Sequence, residues 1–82
     1  MKSKIDRYVI YRVTKKRKEC GLSQAVLARK MKISVSLLSK IESDAFQAHY
    51  SLAHLNLIAR ILKCSPREFM PARSFSSRQP KI

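Results

Sequence analysis

Acid is what this chain has least of: five Asp and Glu stand against eighteen Lys and Arg in 82 residues, for a formal net charge of +13. That imbalance excludes an evenly charged surface and points to a polyanionic partner such as DNA, RNA or an acidic membrane face. Glycine occurs once, proline three times and tryptophan not at all. So few turn formers argue against an all-β chain of many short strands. No apolar run is long enough to cross a bilayer. The opening MKSKIDRYVIYRV lacks the uninterrupted apolar stretch and small-residue cleavage site of a secretory signal. Cysteine is limited to Cys20 and Cys64, with no CxxC and no His at ligand spacing. Both read as free thiols in a helical, cytoplasmic domain, with Cys20 filling core space.

The helical pattern comes in short pieces. A first helix spans about Ile5 to Cys20, with Ile10, Val13, Arg17 and Cys20 on one stripe and Ile5 and Val9 beside it. Gly21 ends it by taking the left-handed conformation. Ser23 caps a second helix from Gln24 to Met31, whose Val26, Leu27 and Met31 face inward. Lys32-Ile33-Ser34 forms a turn in which Ile33 plugs the gap and Ser34 caps a third helix, Val35 to Ser43. Leu38 and Ile41 are its buried residues, which leaves Val35, Ser36, Ser39 and Lys40 facing outward.

Residues 44–50 form a loop whose Phe46 and Tyr50 fold back onto the core or onto a second copy of the chain. Ser51 caps a fourth helix with Leu55, Ile58, Ala59 and Leu62 in amphipathic register. Ser65-Pro66-Arg67-Glu68 reads as a capping box opening a short fifth helix. From Pro71 to Ile82 the composition turns to Ser, Pro and basic residues, so residues 1–70 are the expected domain and 71–82 a basic, disordered tail. The expected fold class is all-α, a compact bundle of five short helices.

Two short helices joined by a tight turn, in so basic a chain, are a means of pushing one helix into a DNA major groove. The segment RKECGLSQAVLARKMKISVSLLSKIES, Arg17 to Ser43, resembles the phage-repressor-like helix-turn-helix family of the Xre or Cro type. The likeness continues through LNLIARILKCSPREF and covers roughly residues 9 to 70. GLSQ followed by LA, an apolar turn residue, a capping Ser and an Ile-Glu pair all fall in register.

The resemblance implies a bundle of four or five helices that binds operator DNA, usually as a dimer. It implies that Gln24 reaches phosphate or a base edge, and that Ser34 to Lys40 forms the recognition helix. Val35, Ser36, Ser39 and Lys40 then stand at base-contacting positions. With Arg29 and Lys32 they complete the candidate DNA-binding set. Arg17 and Glu42 match a salt bridge from the first helix to the end of the third. The residues support that pair independently, because Arg17 lies on an apolar stripe and needs a buried partner. A guanidinium can bond a carboxylate through two parallel N–H groups.

Three departures from the family pattern stand out. Lys32 occupies a turn position where relatives commonly have Gly, and a left-handed non-Gly residue costs roughly 1 kcal/mol. Asp44 likewise replaces a Gly after the third helix. The loop up to Ser51 is about two residues longer than usual.

The expected function is a sequence-specific, repressor-like DNA-binding regulator, associated with the nucleoid when bound. Two copies would lie about 34 Å apart on an inverted repeat. Dimer contacts are expected from the last two helices, through Tyr50, Phe69 or Met70, with core the stronger assignment for Phe69. The alternative is a toxin-neutralising antitoxin or adaptor of the same fold that works through protein contacts. RNA binding is a weaker option, since no aromatic lies on the third helix. No cofactor, metal site or enzymatic activity is expected: His49 and His54 are five residues apart with no carboxylate or Cys at ligand spacing.

Overall fold

A computed structural model describes residues 2–75. It contains four α-helices, α1 (Lys4–Glu19), α2 (Gln24–Met31), α3 (Val35–Glu42) and α4 (Leu52–Leu62), followed by a 3₁₀ turn, Pro66–Phe69. Every one of these elements starts on a serine. Ser3, Ser23, Ser34, Ser51 and Ser65 each take an extended backbone and accept an N–H from the first turn. The side-chain oxygen supplies an acceptor to a donor the helix itself leaves unpaired. At α4 the cap is reciprocal, because His54 Nδ1 accepts the Ser51 N–H at 3.2 Å while Ser51 Oγ accepts the His54 N–H at 3.0 Å.

Three helix ends share one device. Gly21, Lys32 and Lys63 are left-handed, with φ of 74°, 62° and 57°. In each case the next residue donates its N–H back to a carbonyl five positions earlier: Leu22 to Arg17, Ile33 to Ala28 and Cys64 to Ala59, at 3.1, 3.0 and 2.9 Å. These bonds satisfy carbonyls the helix leaves open and turn the chain sharply. The expected left-handed Lys32 is present; the equivalent Lys63 had no sequence signal. α3 ends differently, on an extended Ser43 (φ −99°), and Asp44 is not left-handed as its place in the family pattern suggested.

The core joins Val9, Ile10 and Val13 of α1 to Leu27, Ala28 and Met31 of α2. Leu38 and Ile41 of α3, Leu55, Ile58, Ala59 and Leu62 of α4, and the two aromatics Tyr50 and Phe69 complete it. α1 lies against α3, α4 and the 3₁₀ turn, while α2 packs on α3 and α4. Ala28 is fully buried at that crossing, where a small side chain lets the helices approach.

Several expectations need correction. Cys20 is exposed and fills no core space; Cys64 is half-buried, and burial pushes its thiol above the ordinary range. Ser65 accepts the N–H of Arg67, two residues on, so the last element is a 3₁₀ turn rather than a helix opened by a capping box. Glu68 instead faces Lys16 of α1 at 3.5 Å. Tyr50 and Phe69 are 6% and 1% exposed, which removes both from any dimer surface, whereas Phe46 stays exposed. Residues 71–75 carry no helix, and the Phe75 ring meets Tyr8 edge-on with centroids 5.6 Å apart. The rest of the expected tail, 76–82, lies outside the described residues.

Tyr50 carries a buried hydroxyl with no hydrogen-bond partner among the described residues. Burial, and then the nearby Glu42 carboxylate, push its ionisation well above the ordinary value of 10.0. A phenol raised on folding contributes stability that is whole below the unfolded value and is lost as pH rises past it. Tyr50→Phe is therefore expected to hold or raise stability near neutral pH, by up to about 1 kcal/mol. Its advantage over the wild type should widen above pH 10. Urea denaturation across pH 7 to 11 checks both points.

Candidate functional site

The region built by α2, its turn and α3 begins with a buried ion pair. Arg17 projects from the apolar stripe of α1 between helices. Its Nε donates to Glu42 Oε2 and its Nη2 to Glu42 Oε1, both at 3.0 Å. The two side chains are 8% and 7% exposed. The remaining guanidinium nitrogen, Nη1, donates to the Leu22 carbonyl at 2.7 Å, which fixes the chain as it enters α2. Gln24 Nε2 donates to Glu42 Oε1 at 2.8 Å. One carboxylate at the end of α3 is thus held by the last turn of α1 and the first residue of α2.

Gln24, expected to reach a nucleic acid, has its amide nitrogen engaged inside the protein and is half-buried. What remains free for an outside partner is its other amide face.

The opposite side of α3 is open. Val35 is 46% exposed, and Ser36, Ser39 and Lys40 are exposed with it. These four side chains share one side of an eight-residue helix whose other side buries Leu38 and Ile41. Ser34 Oγ accepts the Leu37 N–H at 3.0 Å, which leaves its O–H free to donate outward. Leu37, which the sequence reading passed over, is also solvent-facing at 36%. Arg29 and Lys32 are exposed at the end of α2 and in the turn. No hydrogen bond or ion pair joins them to the α3 set.

Lys40 is not isolated on this face. Its ammonium lies over the ring of Phe46 at 5.6 Å from the centroid. Such a pair is worth about 0.5–1 kcal/mol at an exposed site. The loop that carries Phe46 is anchored by Lys2, a buried lysine whose ammonium donates to the carbonyls of Ser43 and Phe46. Lys2 carried no sequence signal, because its contact spans more than forty positions, and Phe46, expected to fold onto the core or a second copy, instead lies exposed beneath Lys40.

Electrostatics favour the same side of the molecule. Between Glu19 and Glu42 the sequence holds no acid, but it holds Arg29, Lys30, Lys32 and Lys40. Glu42 is buried against Arg17, Asp44 pairs loosely with Arg7 at 3.9 Å, and Glu68 faces Lys16. The outward surface of α2 and α3 is left cationic, with two hydroxyls and one β-branched side chain on it. Hydroxyls can bond any base, a lysine can donate to guanine O6 and N7, and valine suits a thymine methyl.

Among the described residues no three His, Cys, Asp or Glu side chains come together as a metal site. His54 is occupied by its helix cap. No helix of the described residues is long and apolar enough to cross a membrane.

A helix-turn-helix family model matches residues 13–69, well over half of the chain. No curated protein matches the sequence significantly. Among solved structures, the chain is similar to SinR, the master regulator for biofilm formation, in a crystal structure in complex with DNA. The two share 31% identity and a TM-score of 0.64, over 74% of this chain and 95% of that one.

The Arg17–Glu42 pair makes a direct prediction. Removing one member leaves a buried charge without its partner, at a cost of about 3–5 kcal/mol. Arg17→Met and Glu42→Leu should each lose that much in urea denaturation. The double variant, with no orphaned charge, should recover a large part of the loss.

Proposed function

Because this chain belongs to the helix-turn-helix family, of the Xre/Cro type, we propose that it is a sequence-specific DNA-binding regulator, repressor-like, with α3 entering the major groove. The observation that carries this reading is the two-sidedness of α3. Val35, Ser36, Ser39 and Lys40 face solvent, while its end is locked from behind by Arg17. A helix that reads base edges needs small polar groups outward and a rigid mount, and both are present. The likeness to SinR, a protein crystallised with DNA, supports the same conclusion.

Direct readout is modest, since the outward set lacks the Arg, Asn and Gln that read bases most strictly. Phosphate attraction from Arg29 and Lys32, and sequence-dependent DNA shape, share the work. Of the candidate set, Ser34 both caps α3 and offers its O–H to a phosphate, and Gln24 acts through the amide face that Glu42 leaves free.

The acting species is a dimer on an inverted repeat. Leu52, 81% exposed at the start of α4, and Met70, 40% exposed after the 3₁₀ turn, supply apolar surface for a second copy. The same exposed Leu52 favours the rival reading, an adaptor or toxin-neutralising protein that binds a protein through α4. In that case variants of α4 would abolish function while variants of α3 were silent.

Selection from randomised duplexes, followed by affinity measurements across salt, tests the proposal. The selected site should bind more than about 10³-fold tighter than a scrambled duplex. Each neutralised phosphate should add about −0.9 to the slope of log K against log salt. Lys40→Ala should weaken the selected site by about 1–3 kcal/mol and leave the scrambled duplex nearly unchanged. Equal affinity of the wild type for both duplexes would reduce the protein to a nonspecific cation.

A further inference from the structure

α3 is the one α-helix of the four that does not end on a left-handed residue. Gly21, Lys32 and Lys63 close the other three and return an N–H to the open carbonyls, but Ser43 is extended and returns only one bond, to Lys40 at 3.2 Å. The carbonyls at the end of α3 and in the following loop need other donors. Lys2 provides them. The residue is 7% exposed, and its ammonium donates to the carbonyls of Ser43 and Phe46 and, at 3.5 Å, of Lys40. A positive group at a helix C-terminus also meets the negative end of the helix dipole. This ammonium is spent inside the fold rather than offered to a polyanion, unlike the exposed Lys4 two residues on.

Resting on the DNA-reading role of α3, we infer that Lys2 is a positioning residue for the recognition surface. It clamps the C-terminal end of α3 and the 43–46 loop to the chain's N-terminus, and so sets where Phe46 holds Lys40. The Arg17–Glu42 pair fixes α3 on one flank; Lys2 fixes its tail and the loop that follows. Lys40 then points along the reading face with its ammonium over a ring whose own backbone carbonyl is tied down. Lys2 acts through other residues and touches no nucleic acid.

Two measurements test this, one on the free protein and one with DNA. In the free protein, the Lys2 ammonium should give a slowly exchanging nitrogen-15 resonance in the wild type. Lys2→Met should speed amide exchange at Ser43 to Gln47 at least tenfold, with α2 unchanged. An ammonium exchanging as fast as that of Lys4, or unchanged loop exchange in Lys2→Met, would overturn the clamp. The free-protein arm stands even if the wild type proves to have no sequence preference, so a failure of the DNA-reading role is seen separately.

With DNA, Lys2→Met and Lys2→Gln should each lower the ratio of selected to scrambled affinity about fivefold or more, with the salt slope unchanged. Lys4→Met, which removes one exposed charge from the same segment, should leave the ratio intact. Equal weakening on both duplexes with a shallower salt slope would overturn the positioning role and make Lys2 a phosphate contact. An unchanged ratio would overturn it as well. If Lys2→Met does not fold, Lys2→Gln and the wild-type ammonium resonance still decide.

Discussion

One carboxylate organises the half of this molecule that matters for recognition. Glu42, the last residue of α3, receives two hydrogen bonds from Arg17 of α1 and one from Gln24 of α2. Three helices are therefore referenced to a single buried group, and the guanidinium that holds it also pins the Leu22 carbonyl where the chain enters α2. Buried charges tolerate little slack, because a pair that drifts apart keeps its desolvation cost and loses its attraction. The placement of α3 is consequently close to all-or-none, a useful property under the proposed role, in which its outward side chains meet DNA in register.

The distribution of charge follows from the same economy. Of its five acids, the chain places four where they secure its own elements: Glu42 between helices, Glu68 against α1, Asp6 at the first cap, Asp44 toward Arg7. Among the described residues, the cations on α2, its turn and α3 have no acidic partner, which leaves the outer side of the helix pair positive. Lys2, like Arg17, is a cation drawn inward, its ammonium donating to carbonyls at the end of α3 and in the loop that follows. Charge here does two jobs, internal bracing with the few pairs available and external attraction with the remainder.

Much of this was legible in the sequence, and the reasons are local. Ser23, Ser34 and Ser51 announce helix starts because a serine before an apolar-periodic run satisfies donors within three residues. Gly21 announces an end because it is the chain's only residue free to turn left-handed at no cost. Leu38 and Ile41 revealed which side of α3 is buried, and Arg17 on an apolar stripe announced that it needed a partner. What stayed hidden was non-local. Lys2 reaches carbonyls more than forty residues away, and nothing in its neighbours predicts that. Phe46 and Tyr50 sit four residues apart in one loop, yet one is exposed and the other joins the core, a difference set by tertiary packing and not by local sequence. Cys20 shares the helical phase of Val13 but follows the last residue of α1, so periodicity placed it inside and the fold leaves it outside. Ser65-Pro66-Arg67-Glu68 carries the letters of a capping box, but Glu68 is drawn to Lys16 instead.

The central claim is that the outward side of α3, mounted on the Arg17–Glu42 pair, is the surface that meets DNA. Amide chemical shifts recorded while a selected duplex is titrated into the labelled protein test it most directly. The largest changes should cluster at the α2 entrance around Ser23 and Gln24 and along Ser34 to Lys40, with the outer side of α4 quiet. Shifts confined to α4 and the 3₁₀ turn, with Val35 to Lys40 unmoved, would contradict it.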